Sequence, residues 1–172
     1  MWEAGTGKEL GRLDGHSGPV SACAVSPGGD WIVSASDDKT LKVWDMETGY
    51  DWLDLRGHED VVNGCAISPS GDYIVSASAD NTLKIWDAQT GSEIRTLQGH
   101  GDAVRGCAIS PSGDRIVSVA YNGTLKVWDA FNGHCLVTLV AEGNLRTCTF
   151  CPDGVHLIAG GYSGLYFLRL IV

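Results

Sequence analysis

Long apolar runs are missing from this chain of 172 residues. No window of 18 apolar residues exists, so no helix is expected to span a membrane. The N-terminus lacks a basic stretch followed by an apolar one, so no secretory leader is expected and the cytoplasm is the expected location. Basic charge is in deficit. Twelve Lys and Arg face 21 Asp and Glu for a net charge of −9, and an acidic chain repels phosphate backbones, so nucleic acid is not an expected partner. Helical periodicity is also lacking. Apolar residues come in short β-branched runs cut every few positions by Gly, Pro, Asn and Asp, which is strand-and-turn chemistry.

The chain does contain repeats. "GHSGPVSACAVSPGGDWIVSASDDKTLKVWDMETG" begins at Gly15, and close copies begin at Gly57 and Gly99, an offset of 42 each time. A worn fourth copy, "LVAEGNLRTCTFCPDGVHLIAGGYSGLYFLRLIV", occupies 139–172. Its Cys148 and Pro152 follow Cys107 and Pro111 by 41, which places one deletion in the preceding loop. Each unit holds four strand-sized pieces. In the second they are 62–67, 73–78, 82–86 and 93–97. Asn122-Gly123 predicts a hairpin with positive φ at both central residues.

Gly-His near the start of each of the first three units, Trp-Asp near its end and a period near 40 resemble the WD-repeat β-propeller family. The resemblance covers essentially the whole chain. It implies an all-β fold of four-stranded antiparallel blades standing radially around a channel. The expected blades are about 14–55, 56–97, 98–139 and 140–172, the last completed by 2–13. Residues 2–13 shifted by 42 fall on 44–55, so the N-terminus supplies the end of a third strand and a fourth strand. Rings of this family resemble seven or eight blades, each sweeping about 45–51°, whereas four closing alone need about 90° each. Two chains could therefore close an eight-bladed ring. A strained four-bladed monomer and a fragment of a longer propeller are the other accounts.

The resemblance also implies a buried network in each blade. It joins Trp44, Ser34, His16 and Asp38 in the first unit and Trp86, Ser76, His58 and Asp80 in the second. The third keeps His100, Ser118 and Trp128 with Asn122 for the acid. The fourth has no His at the network position, Ala159 for Ser, Ser163 for Asp and Arg169 for Trp, so its blade is expected to be the least rigid. An indole N–H needs an acceptor, and a Ser hydroxyl accepts it while donating to His. Recurrent Ser, His and Asp invite a hydrolase reading, but an active site is normally built once, and three copies point to structure.

Other motifs dissolve on comparison. "AGTGKEL" at 4–10 lacks the upstream Gly and the Ser/Thr of a phosphate loop, and its slots read "METGYDW" and "AQTGSEI" later. "NGT" at 122–124 reads as a turn rather than a glycosylation acceptor. Cys23, Cys65, Cys107 and Cys148 share one strand position and read as small core residues. Cys148 and Cys151 have no second ligand pair, and residues three apart on a strand face opposite ways, so no metal is expected.

With no catalytic constellation and no cofactor expected, the chain is expected not to be an enzyme. The resemblance directs attention to a protein- or peptide-binding top face built from two positions per blade. These are Ser21, Asn63, Arg105 and Arg146, and Asp37, Ala79, Tyr121 and Tyr162. They vary while core positions repeat, and Arg and Tyr dominate interface hot spots. The alternative is a bare self-assembling module, a half-propeller that dimerises without a ligand of its own.

Overall fold

Short β-branched runs bounded by turn residues become four antiparallel sheets. The computed structural model describes residues 3–9 and 11–171. Trp2, Leu10 and Val172, which the closure reading uses, lie outside the described residues. The first sheet holds β1 (Val20–Val25), β2 (Trp31–Ser36), β3 (Thr40–Asp45) and β4 (Asp51–Arg56). The second holds β5 (Val62–Ile67), β6 (Tyr73–Ser78), β7 (Leu83–Asp87) and β8 (Glu93–Leu97). The third holds β9 (Val104–Ile109), β10 (Arg115–Ala120), β11 (Thr124–Asp129) and β12 (Cys135–Val140). The fourth has three strands, β13 (Leu145–Phe150), β14 (His156–Gly161) and β15 (Gly164–Arg169). Strands follow chain order within every sheet, as consecutive hairpins dictate.

The core lies between sheets rather than within them. Val33, Ala35, Leu41, Val43 and Leu55 of the first sheet meet Val62, Ile74 and Trp86 of the second, together with Ala88 just beyond β7. Val75, Leu83, Ile85 and Leu97 of the second meet Val104, Ile116 and Trp128 of the third. Val117, Leu125 and Val127 of the third meet Leu145, Phe150 and Leu157 of the fourth. Full burial of one such side chain contributes about 1.5–3 kcal/mol. The first strands stand side by side, β1 against β5, β5 against β9 and β9 against β13. Each seam repeats one contact: the Cys65, Cys107 and Cys148 thiols donate to the carbonyls of Val33, Val75 and Val117, at 3.8, 3.7 and 3.7 Å.

Three expectations need correction. Within one chain the N-terminal segment does not complete the last sheet. Among the described residues β15 pairs only with β14, and Leu13 lies instead against Gly49 of the first sheet. The hairpin at Asn122-Gly123 uses positive φ only at Gly123 (80°), as Lys39 (72°) and Asn81 (70°) do at the same repeat position. These are three-residue loops with a single left-handed residue. Finally, Arg169 does not stand at the Trp position. Ile116 pairs with Trp128, and its counterpart Leu157 pairs with Leu168, while Arg169 pairs with His156. The β14–β15 loop holds two residues, Tyr162 and Ser163, so its return strand is shifted by one.

Candidate functional site

Each of the first three sheets carries a polar chain running inward from its loops. Trp44 Nε1 donates to Ser34 Oγ at 2.7 Å, and His16 Nε2 lies 2.7 Å from the same hydroxyl. His16 Nδ1 reaches Asp38 Oδ2 at 2.8 Å. A carboxylate only accepts, so Nδ1 carries the proton and Nε2 accepts from Ser34. The second sheet repeats this with Trp86, Ser76, His58 and Asp80 at 2.8, 2.7 and 2.7 Å.

In the third sheet Trp128 and Ser118 keep the pattern with His100, but Asn122 does not meet the ring. Thr124 stands between them. Its hydroxyl lies 2.8 Å from His100 Nδ1 and donates to Asn122 Oδ1 at 2.8 Å. Thr40 and Thr82 donate to Asp38 and Asp80 in the same way. These threonines are members of the network that the sequence reading missed. Their signal was a Thr two residues after the turn acid in "DDKT", "ADNT" and "YNGT". The fourth sheet has Ala159 at the Ser position and Leu168 opposite Leu157, which carry no polar side chain.

Burial governs the electrostatics. It pushes the His58 imidazole below its ordinary range, and the neighbouring Asp80 charge does not reverse this. The His58–Asp80 contact is therefore a hydrogen bond from a neutral ring at pH 7. Burial, helped by the Lys126 charge, takes His100 down to about 4. Asp38 and Asp80 are also partly buried, which by itself raises a carboxyl. Hydrogen bonds from Thr40, His16 and the Ser17 backbone, and from Thr82, His58 and the Glu59 backbone, outweigh it and hold both below the carboxylate range. Burial raises the Cys65 and Cys107 thiols and takes Cys148 up to about 12, which leaves them protonated donors rather than nucleophiles. The Ser76 and Ser118 hydroxyls are sealed from solvent, each engaged by an indole N–H. Among the described residues no three His, Cys, Asp or Glu converge as a metal set.

The variable positions lie at one end of the sheets, where β1 and β2, and their counterparts, end as Val20↔Ser36, Val62↔Ser78, Val104↔Ala120 and Leu145↔Gly161. Ser21 donates to Asp37 at 2.8 Å. Asn63 donates across the seam to the Val104 carbonyl at 2.8 Å and accepts from Arg105 at 3.4 Å. The Arg105 guanidinium lies 5.2 Å from the Tyr121 ring centroid, a cation–π contact that holds a flexible arm in place. Arg146 and Tyr162 are exposed on the fourth sheet, with Tyr162 at 85%. Ala79 is half-buried and offers only its backbone N–H, bonded to the Val61 carbonyl. The structure thus joins Asn63, Arg105 and Tyr121 into one cluster and pairs Ser21 with Asp37. Among the described residues no side-chain hydrogen bond, ion pair or ring contact joins Arg146, Tyr162 or Ala79 to it.

No helix of the described residues is long and apolar enough to cross a membrane. A curated relative, "Periodic tryptophan protein 2 homolog" of Neurospora crassa, is 46% identical over 43 residues, 25% of this chain. The aligned stretch spans only 5% of that relative's length. The sequence profile of the family described as "WD domain, G-beta repeat" matches three times, over residues 7–45, 52–87 and 91–129. With four stacked antiparallel sheets, the repeated Trp–Ser–His chain and a profile covering well over half of its length, the chain belongs to the WD domain, G-beta repeat family.

Proposed function

We propose that this chain is a non-catalytic scaffold that binds protein or peptide partners at the sheet end bearing Ser21, Asn63, Arg105, Arg146, Asp37, Ala79, Tyr121 and Tyr162. The observation that carries the reading is the Asn63–Arg105–Tyr121 cluster. A guanidinium stacked on an exposed aromatic ring and anchored by an amide is held ready to bind and loses little freedom on contact. The buried Ser–His chains of the second and third sheets support a structural rather than a chemical role, because the Ser76 and Ser118 hydroxyls are closed to substrate. Cytoplasmic residence belongs to the same reading and fits six free cysteines. Nucleic acid and membrane are not proposed partners, in keeping with the acidic charge.

The test is a peptide array probed with the chain and with an Arg105→Glu, Arg146→Glu double variant. Binding by the parent that the variant loses, with an unchanged circular dichroism spectrum, is the expected outcome. Equal binding by both moves the site away from this rim.

A further inference from the structure

Every sheet has two apolar faces, and three seams bury six of the eight. The two left over stand at opposite ends of the stack. At the leading end, Val20 is 57% exposed, whereas its counterparts Val62, Val104 and Leu145 are 0%, 0% and 1%. Ile32, Trp44 and Met46 stand on the same face, at the positions that Ile74, Trp86 and Ala88 occupy in the first seam. Cys23 is exposed, at the position from which its three counterparts donate across a seam. At the trailing end Leu165 and Phe167 are 80% and 68% exposed, and their counterparts Leu125 and Val127 are 2% and 1%. The Ile158 carbonyl stands where those of Val33, Val75 and Val117 accept.

The N-terminal segment lies at the leading end. Residues 3–8 make the turn that joins third and fourth strands elsewhere. Glu3 N–H donates to the Lys8 carbonyl and Gly7 N–H to the Glu3 carbonyl, as Asp45 and Gly49 do with Tyr50 and Asp45. Leu13 lies against Gly49, as Leu55 lies against Gly91 and Leu97 against Gly133. The family repeat matched at 7–45 begins in this segment, just as the one at 52–87 begins in β4. The segment therefore sits where the outer strand of a sheet preceding the first would stand. Behind it opens a cleft of about 390 Å³ lined by Leu13, Val20, Cys23, Ile32 and Trp44.

We propose that this cleft receives the β13–β15 sheet of a second copy of the chain, whose β15 edge takes up residues 8, 9 and 11–13 in the place of a fourth strand. Ile158, Leu165 and Phe167 of that copy complete the half-core of Val20, Ile32, Trp44 and Met46. Cys23 donates to the Ile158 carbonyl, so the new seam repeats the three existing ones. The same contact made in return gives two identical seams about a two-fold axis and an eight-sheet ring. This inference is independent of rim binding, and the Arg105→Glu, Arg146→Glu variant keeps the assembled mass.

Multi-angle light scattering of the 172-residue chain at micromolar concentration is expected to give about twice its 18.2 kDa mass. Val20→Asp and Phe167→Asp alter side chains that are exposed in the single chain, so each is expected to fold and run at the single-chain mass. Mixed together they restore one intact seam, and the mixture is expected to be heavier than either alone. A parent of single-chain mass, a ladder of open polymers, or charge variants that keep the doubled mass overturns the proposal.

Discussion

His100 offers the sharpest test of the buried networks. Its ring is folded away from water between Ser118 and Thr124, where burial and the Lys126 charge bring it down to about 4. An unfolded histidine titrates near 6.5. Above that value neither state holds the proton, so the stability linked to this group is fully present. Between about 6.5 and 4 the unfolded chain takes up a proton that the folded chain refuses, and stability falls as pH falls. Integrated over that window the loss is about 3 kcal/mol. His58 is shifted in the same direction, so the parent slope contains both rings. The lowered carboxylates, Asp80, Asp153 and Glu93 among them, add their own loss below about pH 5, where the unfolded chain begins to protonate them, and they are common to parent and variant.

The assay is the urea midpoint of the parent and of His100→Gln at intervals from pH 7 to pH 4. The variant starts lower, because it loses hydrogen bonds, but it is expected to fall less steeply. The difference between the two slopes isolates His100, since His58 is common to both. Parallel lines refute the reasoning, as does a folded-state ring resonance that titrates near 6.5 by proton NMR.

Two further outcomes follow from the geometry. His58→Ala leaves Ser76 and Asp80 underpaired and is expected to cost about 1–3 kcal/mol by denaturant midpoint, whereas Ser163→Ala, in the sheet without a Trp–Ser–His chain, is expected to cost far less. A Cβ on Gly161 would collide with the Asn144 carbonyl oxygen, so Gly161→Ala must part β13 from β14 and is expected to cost about 1–3 kcal/mol in melting experiments, with Gly5→Ala, which meets nothing, as the neutral control.

Much of the fold was legible because the 42-residue offset superimposes chemically equivalent positions. The second unit shows this well: strands read at 62–67, 73–78 and 93–97 are β5, β6 and β8. What escaped was set by loop length. The fourth unit's hairpin is one residue shorter than its relatives, so the return strand slips and Leu168, not Arg169, faces Leu157. An apolar pattern does not register such a slip, because Leu165, Phe167 and Leu168 look equally suited to a core. The threonines were missed for another reason. Thr124 becomes a relay only because Asn122 accepts from its hydroxyl, and that depends on a side-chain geometry that residue types do not specify. The N-terminal segment was legible as an outer strand, but its pairing depends on an edge elsewhere. Among the described residues it rests on the first sheet, and β15 pairs with β14 alone.

Placing every core between two sheets has a mechanical consequence. Tension applied to the two ends loads the sheets in series, and no sheet has a core of its own to resist with. A terminal sheet shields only one seam, so it detaches first, and its loss leaves the next sheet terminal in turn. Force would then be released in steps of one repeat, each freeing 42 residues or about 140 Å of chain. The chain would behave as a row of catches that open in order from the ends, and a clamp between its first and last sheets would remove the place where such unravelling begins.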